Sequence, residues 1–203
     1  QKTAYEITTR LVGSVSHIIA AVLQQAGYRT GLFTSPHLHD FRERIRVDGE
    51  MIPKQKVVNF VDKHHDKMTE LGLSFFEMTA ALAFDYFAQS DVEVAVVETG
   101  LGGRLDATNA VQNPVLSVIT TISLEHTAVL GDTLSQIAKE KAGILKKGVP
   151  AVYSAKEPEV IHVMEQTAEN AGVPVLEGVT PADYQITKNT GKCIDFSLHN
   201  GYY

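Results

Sequence analysis

The chain has little of what a disulfide-bonded, membrane-spanning or nucleic-acid-binding protein needs. It holds one cysteine, Cys193, among 203 residues, which excludes an intrachain disulfide framework and a cysteine-based zinc cluster. Its longest apolar run, residues 18–23, is far shorter than the ~20 residues of a membrane span, and the N-terminus shows no signal-peptide pattern. With 18 basic against 24 acidic side chains, the net charge is −6. We therefore expect a cytoplasmic protein without a nucleic-acid or membrane partner.

The remaining composition is that of an ordinary globular protein. Hydrophobic residues make up 44% of the chain and charged residues 21%, so a sizeable core can form. The sequence contains no internal repeat, low-complexity tract or flexible linker. We expect one domain and a monomer.

Hydrophobic periodicity predicts alternating helices and strands. Such alternation is typical of an α/β fold with a mostly parallel, doubly wound sheet and ligand sites at the carboxyl ends of its strands. The tail, residues 184–203, differs, because residues 193–198 alternate like one strand of a short antiparallel segment. The predicted helices are 15–26, 54–71, 75–89, 133–144 and 158–171, and the predicted strands are 29–34, 92–97, 115–122 and 151–153.

Three loops that follow predicted strands contain candidate metal ligands. Glu98 ends a strongly apolar strand, where an unpaired charge would be costly and a hard cation could bind; the alternative is a salt-bridged glutamate in a tight turn. Ser35 could offer its hydroxyl to a bound cation, although a serine in a Thr-Ser-Pro turn more often only caps that turn. His126 follows the next strand and could converge on Glu98, although a lone histidine is usually structural. Lys141, near a helix C-terminus, reads by default as a surface residue that complements the helix dipole.

Five motifs, in order along the chain, resemble one known family. The combined pattern is similar to folylpolyglutamate synthase/dihydrofolate synthase, a member of the Mur ligase superfamily with a P-loop ATPase domain. The resemblance extends from about residue 13 to residue 156. The motifs are TSPHL at 34–38, FRERIRVDGE at 41–50, FFEMT at 75–79, ETGLGGRLDATN at 98–109, and LGDTL with EKAGI within 130–144.

The resemblance implies a set of site residues. It implies that Ser35, Glu98 and His126 coordinate Mg²⁺, and that Lys141 is carried as a carbamate that binds a second Mg²⁺. His126 and Lys141 thereby become the catalytic candidates. It also implies that Phe76 and Asp106 hold the pterin of the substrate, by stacking and by hydrogen bonding.

The phosphate loop departs from the family pattern. The family sequence Gly-Thr-Asn-Gly-Lys-Gly-Ser corresponds to residues 8–14, of which Thr9, Gly13 and Ser14 are kept, so the cofactor-binding candidates for ATP are Gly13 and Ser14. Residues 4–8 also resemble the start of a helix, so the strand that should deliver the loop is expected to be missing. Either the loop is degenerate, or residues are skipped between Leu11 and Gly13. We favour the second explanation, which the intact mass tests, since 203 residues weigh 22.2 kDa.

The resemblance implies an ATP-dependent ligase that adds L-glutamate to a folate or dihydropteroate carboxylate through an acyl phosphate. In this interpretation residues 1–203 are an incomplete N-terminal ATP-binding domain, the C-terminal glutamate-ligase domain is absent, and the chain alone is inactive. The alternative is a non-catalytic pterin- or nucleotide-binding module with a degenerate phosphate loop. The sequence does not distinguish dihydropteroate from folylpolyglutamate substrates, nor the glutamate chain length.

Overall fold

The computed structural model describes residues 5–8, 12–174, 176–178, 184–189 and 194–198. Cys193 and residues 9–11 of the expected phosphate loop lie outside these ranges. The strands are β1 (Tyr5–Thr8), β2 (Thr30–Phe33), β3 (Ile45–Val47), β4 (Glu50–Met51), β5 (Val94–Glu98), β6 (Leu116–Ile119), β7 (Ala151–Tyr153), β8 (Leu176–Gly178), β9 (Tyr184–Asn189) and β10 (Ile194–Leu198). The helices are α1 (Val12–Gln25), α2 (Lys54–Glu70), α3 (Phe75–Gln89), α4 (Thr127–Leu130), α5 (Leu134–Ala142) and α6 (Pro158–Ala171), with 3₁₀ turns at Phe41–Arg44 and Ala107–Ala110.

Eight strands form one mixed sheet in the order β4-β3-β2-β5-β1-β6-β7-β8. The pairings from β2 to β8 are parallel, whereas β3 pairs antiparallel with both β2 and β4. The prediction of a mostly parallel sheet is therefore replaced by a mixed α/β sheet. The antiparallel strands arise from a two-residue turn, Asp48-Gly49, in which both residues have positive φ (51° and 85°). An Asp-Gly turn of this kind matches the twist of a β-hairpin. It lies within the motif at 41–50, and the predicted strands do not include the two strands that it joins.

The expectation that residues 4–8 begin a helix is wrong. Strand β1 lies between β5 and β6 and pairs with both in parallel, with Tyr5 opposite Val96 on one side and Leu116 on the other. A four-residue segment is too short for its periodicity to decide its conformation, and the neighbouring strands supply its hydrogen-bond partners. The strand that should precede a phosphate loop is thus present, with three residues between it and α1. The idea that residues are skipped between Leu11 and Gly13 stays a prediction, which the intact mass tests.

Helices cover both faces of the sheet. Leu32 and Val96 are buried on one face against residues of α1. The next residues of the same strands, Phe33 and Val97, point the opposite way and pack with α3. A further cluster buries Ile137 of α5 together with Val160 and Met164 of α6 against β6 and β7. The double coverage explains why β5 is buried at every position, as its apolar sequence predicted.

Most predicted elements are confirmed within one to three residues of their ends. Helix α3 has the predicted bounds, and it begins at Phe75 because Ser74 and Glu77 form a capping box, in which each side chain accepts a backbone N–H of the other residue. The antiparallel segment near the C-terminus is confirmed as the β9–β10 pair. Among the described residues, no helix has the length and apolar character needed to cross a bilayer.

Candidate functional site

Ser35 and Glu98 meet at the carboxyl ends of two neighbouring parallel strands. Strand β2 ends at Phe33 and β5 ends at Glu98, and the two strands pair in register from Thr30 opposite Val94. The backbone N–H of Ser35 donates to Glu98 Oε2 at 3.0 Å. The two loops therefore meet through the backbone of Ser35, and a cation shared by the Ser35 hydroxyl and Glu98 stays a prediction.

Glu98 is a buried carboxylate without an ion pair among the described residues. Glu98 is only 6% exposed, and this burial raises the pKa of its carboxyl to about 7. The Ser35 N–H and the nearby Arg44 charge lower the pKa by a smaller amount. Within the described residues, the other oxygen, Oε1, accepts no hydrogen bond, so it is available as a ligand to a bound cation.

His126 follows β6, which neighbours β1 on the side away from β5, and Lys141 lies on α5. His126 is exposed and precedes α4 with φ = 50°, a left-handed conformation that is uncommon for a non-glycine residue. Lys141 is not the surface residue that its place near a helix C-terminus suggested, because it is 3% exposed. Its Nζ lies 3.1 Å from Oε1 of Glu125, the residue before His126, and burial lowers its pKa despite that carboxylate.

These residues can supply part of the ligand set of Mg²⁺. No group of three or more histidine, cysteine or carboxylate side chains is placed to hold a metal in the part of the chain that the structure describes. The expected set contains only two such residues, Glu98 and His126, so its other ligands would be the Ser35 hydroxyl, nucleotide phosphates and water, which are the oxygen donors that Mg²⁺ prefers. The free oxygen of Glu98 suits this role. Lys141 suits it only after losing its positive charge.

Phe76 and Asp106, the two predicted pterin contacts, line the same cavity. The cavity has a volume of about 350 Å³ and lies between the start of α3, the loop of residues 101–107, and residues of α4 and α5. The Phe76 ring packs so closely on Gly100 that a Cβ there would lie 2.5 Å from it. Only glycine leaves room for the ring at this position.

The Asp106 carboxylate is engaged by its own loop. Oδ2 accepts the backbone N–H groups of Gly100 and Leu101, at 3.1 and 2.9 Å. Oδ1 accepts the backbone N–H and the hydroxyl of Thr108, at 3.0 and 2.6 Å. Four hydrogen bonds use the ordinary acceptor capacity of a carboxylate, so Asp106 fixes the shape of the glycine-rich loop. Its contact with a pterin stays a prediction.

The glycine-rich loop is locked to helix α5, which carries Lys141. A Cβ at Gly103 would lie 2.9 Å from the backbone oxygens of Glu140 and Lys141. Arg104 adds an ion pair, with Nη2 3.0 Å from Glu140 Oε1, and its backbone N–H donates to Glu140 O. The cavity wall and the buried lysine are thereby held in one rigid unit.

Gly13 and Ser14 lie in the first turn of α1, directly after residues 9–11. Ser14 is exposed, and a Cβ at Gly13 would meet nothing within 4 Å. The N-terminal end of a long helix favours anions such as phosphate. ATP binding by these two residues stays a prediction.

Two residues at this edge of the sheet were not singled out from the sequence. Glu125, the partner of Lys141, lies beside His126 in a loop whose sequence points only to a candidate metal ligand. Arg44 lay within the motif at 41–50 and is 9% exposed beside Glu98. Three arginines in six residues, of which one is buried, give no sequence signal that tells them apart.

Comparison with known proteins identifies the chain's relatives, although no protein-family model matches it. A dihydrofolate synthase/folylpolyglutamate synthase of Bacillus subtilis is 43% identical over 169 residues, which cover 80% of this chain and 39% of that protein. A folylpolyglutamate synthase of Arabidopsis thaliana is 42% identical over 179 residues, which cover 85% of this chain and 31% of that protein. The chain thus spans well under half the length of these relatives.

Solved structures give the same result. A folylpolyglutamate synthase from Thermotoga maritima superposes with a TM-score of 0.82 at 38% identity, covering 92% of this chain and 44% of that one. An FPGS–AMPPCP–folate complex gives 0.83 at 36% identity, covering 92% and 47%. E. coli FolC in complex with DHPP and ADP gives 0.82 at 31% identity, covering 93% and 44%. The resemblance carried by the five motifs is confirmed, and the chain belongs to the folylpolyglutamate synthase/dihydrofolate synthase family.

Proposed function

We propose that this chain is the nucleotide- and substrate-binding part of an ATP-dependent ligase that joins L-glutamate to the carboxylate of a folate or a dihydropteroate. The observation that carries the proposal is the placement of Glu98 and Ser35 at the same sheet edge as the cavity formed by Phe76 and the glycine-rich loop. Relatives of the same fold are known as complexes with AMPPCP and folate, and with DHPP and ADP.

The chemistry consists of two displacements. The substrate carboxylate attacks the terminal phosphorus of ATP, giving an acyl phosphate and ADP. The amine of glutamate then attacks the acyl carbon, expels phosphate and, after losing a proton, leaves an amide. Such reactions depend mainly on positioning and on charge neutralisation.

In this proposal Glu98, Ser35 and His126 would hold Mg²⁺, which when bound offsets the charge of the phosphates. The residues of the chain position the substrate. Phe76 offers a ring on which a flat pterin can stack at the cavity wall. Asp106 holds the loop that closes the opposite side, through its four hydrogen bonds.

Lys141 would join the ligand set after its neutral amine adds CO₂ and releases a proton, which converts a cation into a carbamate anion. Its burial supports this proposal, because a lowered pKa makes the neutral amine more available. Replacing Lys141 by Ala should abolish ligation in the full-length protein, and acetate should restore part of it by filling the vacated position. Normal turnover by the alanine variant would refute this role.

We propose further that residues 1–203 are an incomplete ATP-binding domain that also contributes to the pterin site, and that the chain alone does not ligate. The second candidate function is a pterin- or nucleotide-binding module without catalysis. The observation in its favour is the loss of the family's lysine and two of its glycines in residues 8–14. Calorimetry separates the two functions, because a ligase binds both magnesium–ATP and pteroate, whereas the module that we consider binds pteroate alone.

A further inference from the structure

Among the described arginines, Arg44 alone is buried. Arg42 pairs with Asp40 at 2.8 Å, Arg104 pairs with Glu140 at 3.0 Å, and both are more exposed. Arg44 is 9% exposed and makes no ion pair with any described residue. Burial of an arginine without a carboxylate is costly, so a fold that keeps one needs a reason for it.

The neighbours of Arg44 leave most of its hydrogen-bonding capacity unused. Its Nε donates to His37 Nδ1 at 2.9 Å, and its guanidinium carbon lies 5.5 Å from the centre of the Phe75 ring. Neither partner carries a negative charge. The two terminal amino groups have no acceptor among the described residues, although the whole residue is only 9% exposed.

The position of Arg44 joins it to the candidate site. Its carbonyl accepts the backbone N–H of Thr34, the residue before Ser35, at 2.9 Å. Its charge acts on Glu98 without an ion pair between them. Phe75, over which the guanidinium lies, precedes Phe76 of the cavity wall. Arg44 therefore places an unpaired planar cation at the edge where a substrate carboxylate would react.

We propose that Arg44 binds the reacting carboxylate of the substrate through its two terminal amino groups, and so determines the preference for a carboxylate over a neutral ligand. This inference rests on the proposed function. A guanidinium fork matches the two oxygens of a carboxylate, and it would also hold an oxygen of the acyl phosphate that replaces it. His37 and Phe75 would orient the fork before the substrate arrives.

The test compares two ligands that differ only at the carboxylate, namely pteroate and its carboxamide. Calorimetry with the full-length protein should show that pteroate binds at least about tenfold more tightly, the usual worth of a charge-assisted hydrogen bond. In Arg44→Gln this ratio should fall close to one through weaker binding of pteroate. Arg44→Lys, which keeps the charge and loses the fork, should give an intermediate ratio. The control Arg42→Gln should keep the wild-type ratio.

A merely structural Arg44 would give a different result, because the two ligands would then lose affinity equally in Arg44→Gln. That result, or an unchanged ratio, overturns the inference while the proposed substrate class stands. Circular dichroism shows whether Arg44→Gln is folded; if it is not, an unchanged ratio in Arg44→Lys overturns the inference. Failure of the wild type to bind either ligand refutes the proposed function, and the inference with it.

Discussion

Replacing Glu98 by Gln should stabilise the metal-free protein at neutral and alkaline pH. The fold raises the pKa of this carboxyl from 4.5 to about 7, because burial disfavours its charged form. Below pH 4.5 the carboxyl is neutral in both the folded and unfolded states and carries no charge penalty. As the pH rises through 7, the penalty grows to its full value and then stays constant.

The size of the effect follows from the difference between 7 and 4.5, which is 2.5 pH units. At 1.36 kcal/mol per unit, the free energy of unfolding of Glu98→Gln should rise relative to the wild type by about 3 kcal/mol between pH 4 and pH 8. The glutamine keeps the shape of the side chain and can still accept the Ser35 N–H.

Urea denaturation with a chelator present, followed by circular dichroism at several pH values, measures this difference. The exposed carboxylate variant Glu169→Gln is the matched control and should show a small, nearly constant difference. Added Mg²⁺ should stabilise the wild type and leave Glu98→Gln unchanged. A difference in the free energy of unfolding between wild type and Glu98→Gln that does not change with pH would refute this prediction, and so would a variant less stable than the wild type at pH 8.

Three further predictions concern packing and capping, and thermal or urea denaturation measures each of them. Gly103→Ala should lower the free energy of unfolding by about 1–3 kcal/mol, because the added Cβ meets two backbone oxygens of α5. The control Gly13→Ala should not destabilise the protein, since a Cβ there meets nothing. Equal effects of the two substitutions would contradict this prediction. Ser74→Ala removes the N-cap of α3 and should cost about 1 kcal/mol, more than Ser90→Ala at the other end of the helix. Ile137→Ala, at a fully buried position, should cost about 2–5 kcal/mol, and a smaller loss would show that the core relaxes into the cavity.

Much of the fold could be predicted because its long elements carry strong local signals. Helix α3 has both an apolar face and the Ser74–Glu77 capping box, so its course and its N-terminal end are encoded locally. Strand β1 could not be predicted in this way, since its four residues become a strand through pairing with β5 and β6. The hairpin at Asp48-Gly49 also has a local signal, because an Asp-Gly pair favours a two-residue hairpin turn.

The site residues likewise differ in whether the sequence predicts where they lie. Glu98 and Ser35 could be placed together because the carboxyl ends of neighbouring parallel strands share one edge. The burial of Lys141 and its pairing with Glu125 depend on how α5 packs, which the position of a lysine near a helix end does not reveal. Arg44 is likewise distinguished from Arg42 only by three-dimensional burial.

We propose that this chain supplies the nucleotide- and substrate-binding part of a folate–glutamate ligase. The most direct measurement incubates the full-length protein with magnesium–ATP, L-glutamate and dihydropteroate or folate, and quantifies ADP and the glutamyl amide together. We expect one ADP per amide bond and no ADP above background when the pterin substrate is omitted. Glu98→Gln should lose both products. Tight binding of dihydropteroate or folate without any ADP or amide, or unchanged product formation by Glu98→Gln, would contradict it.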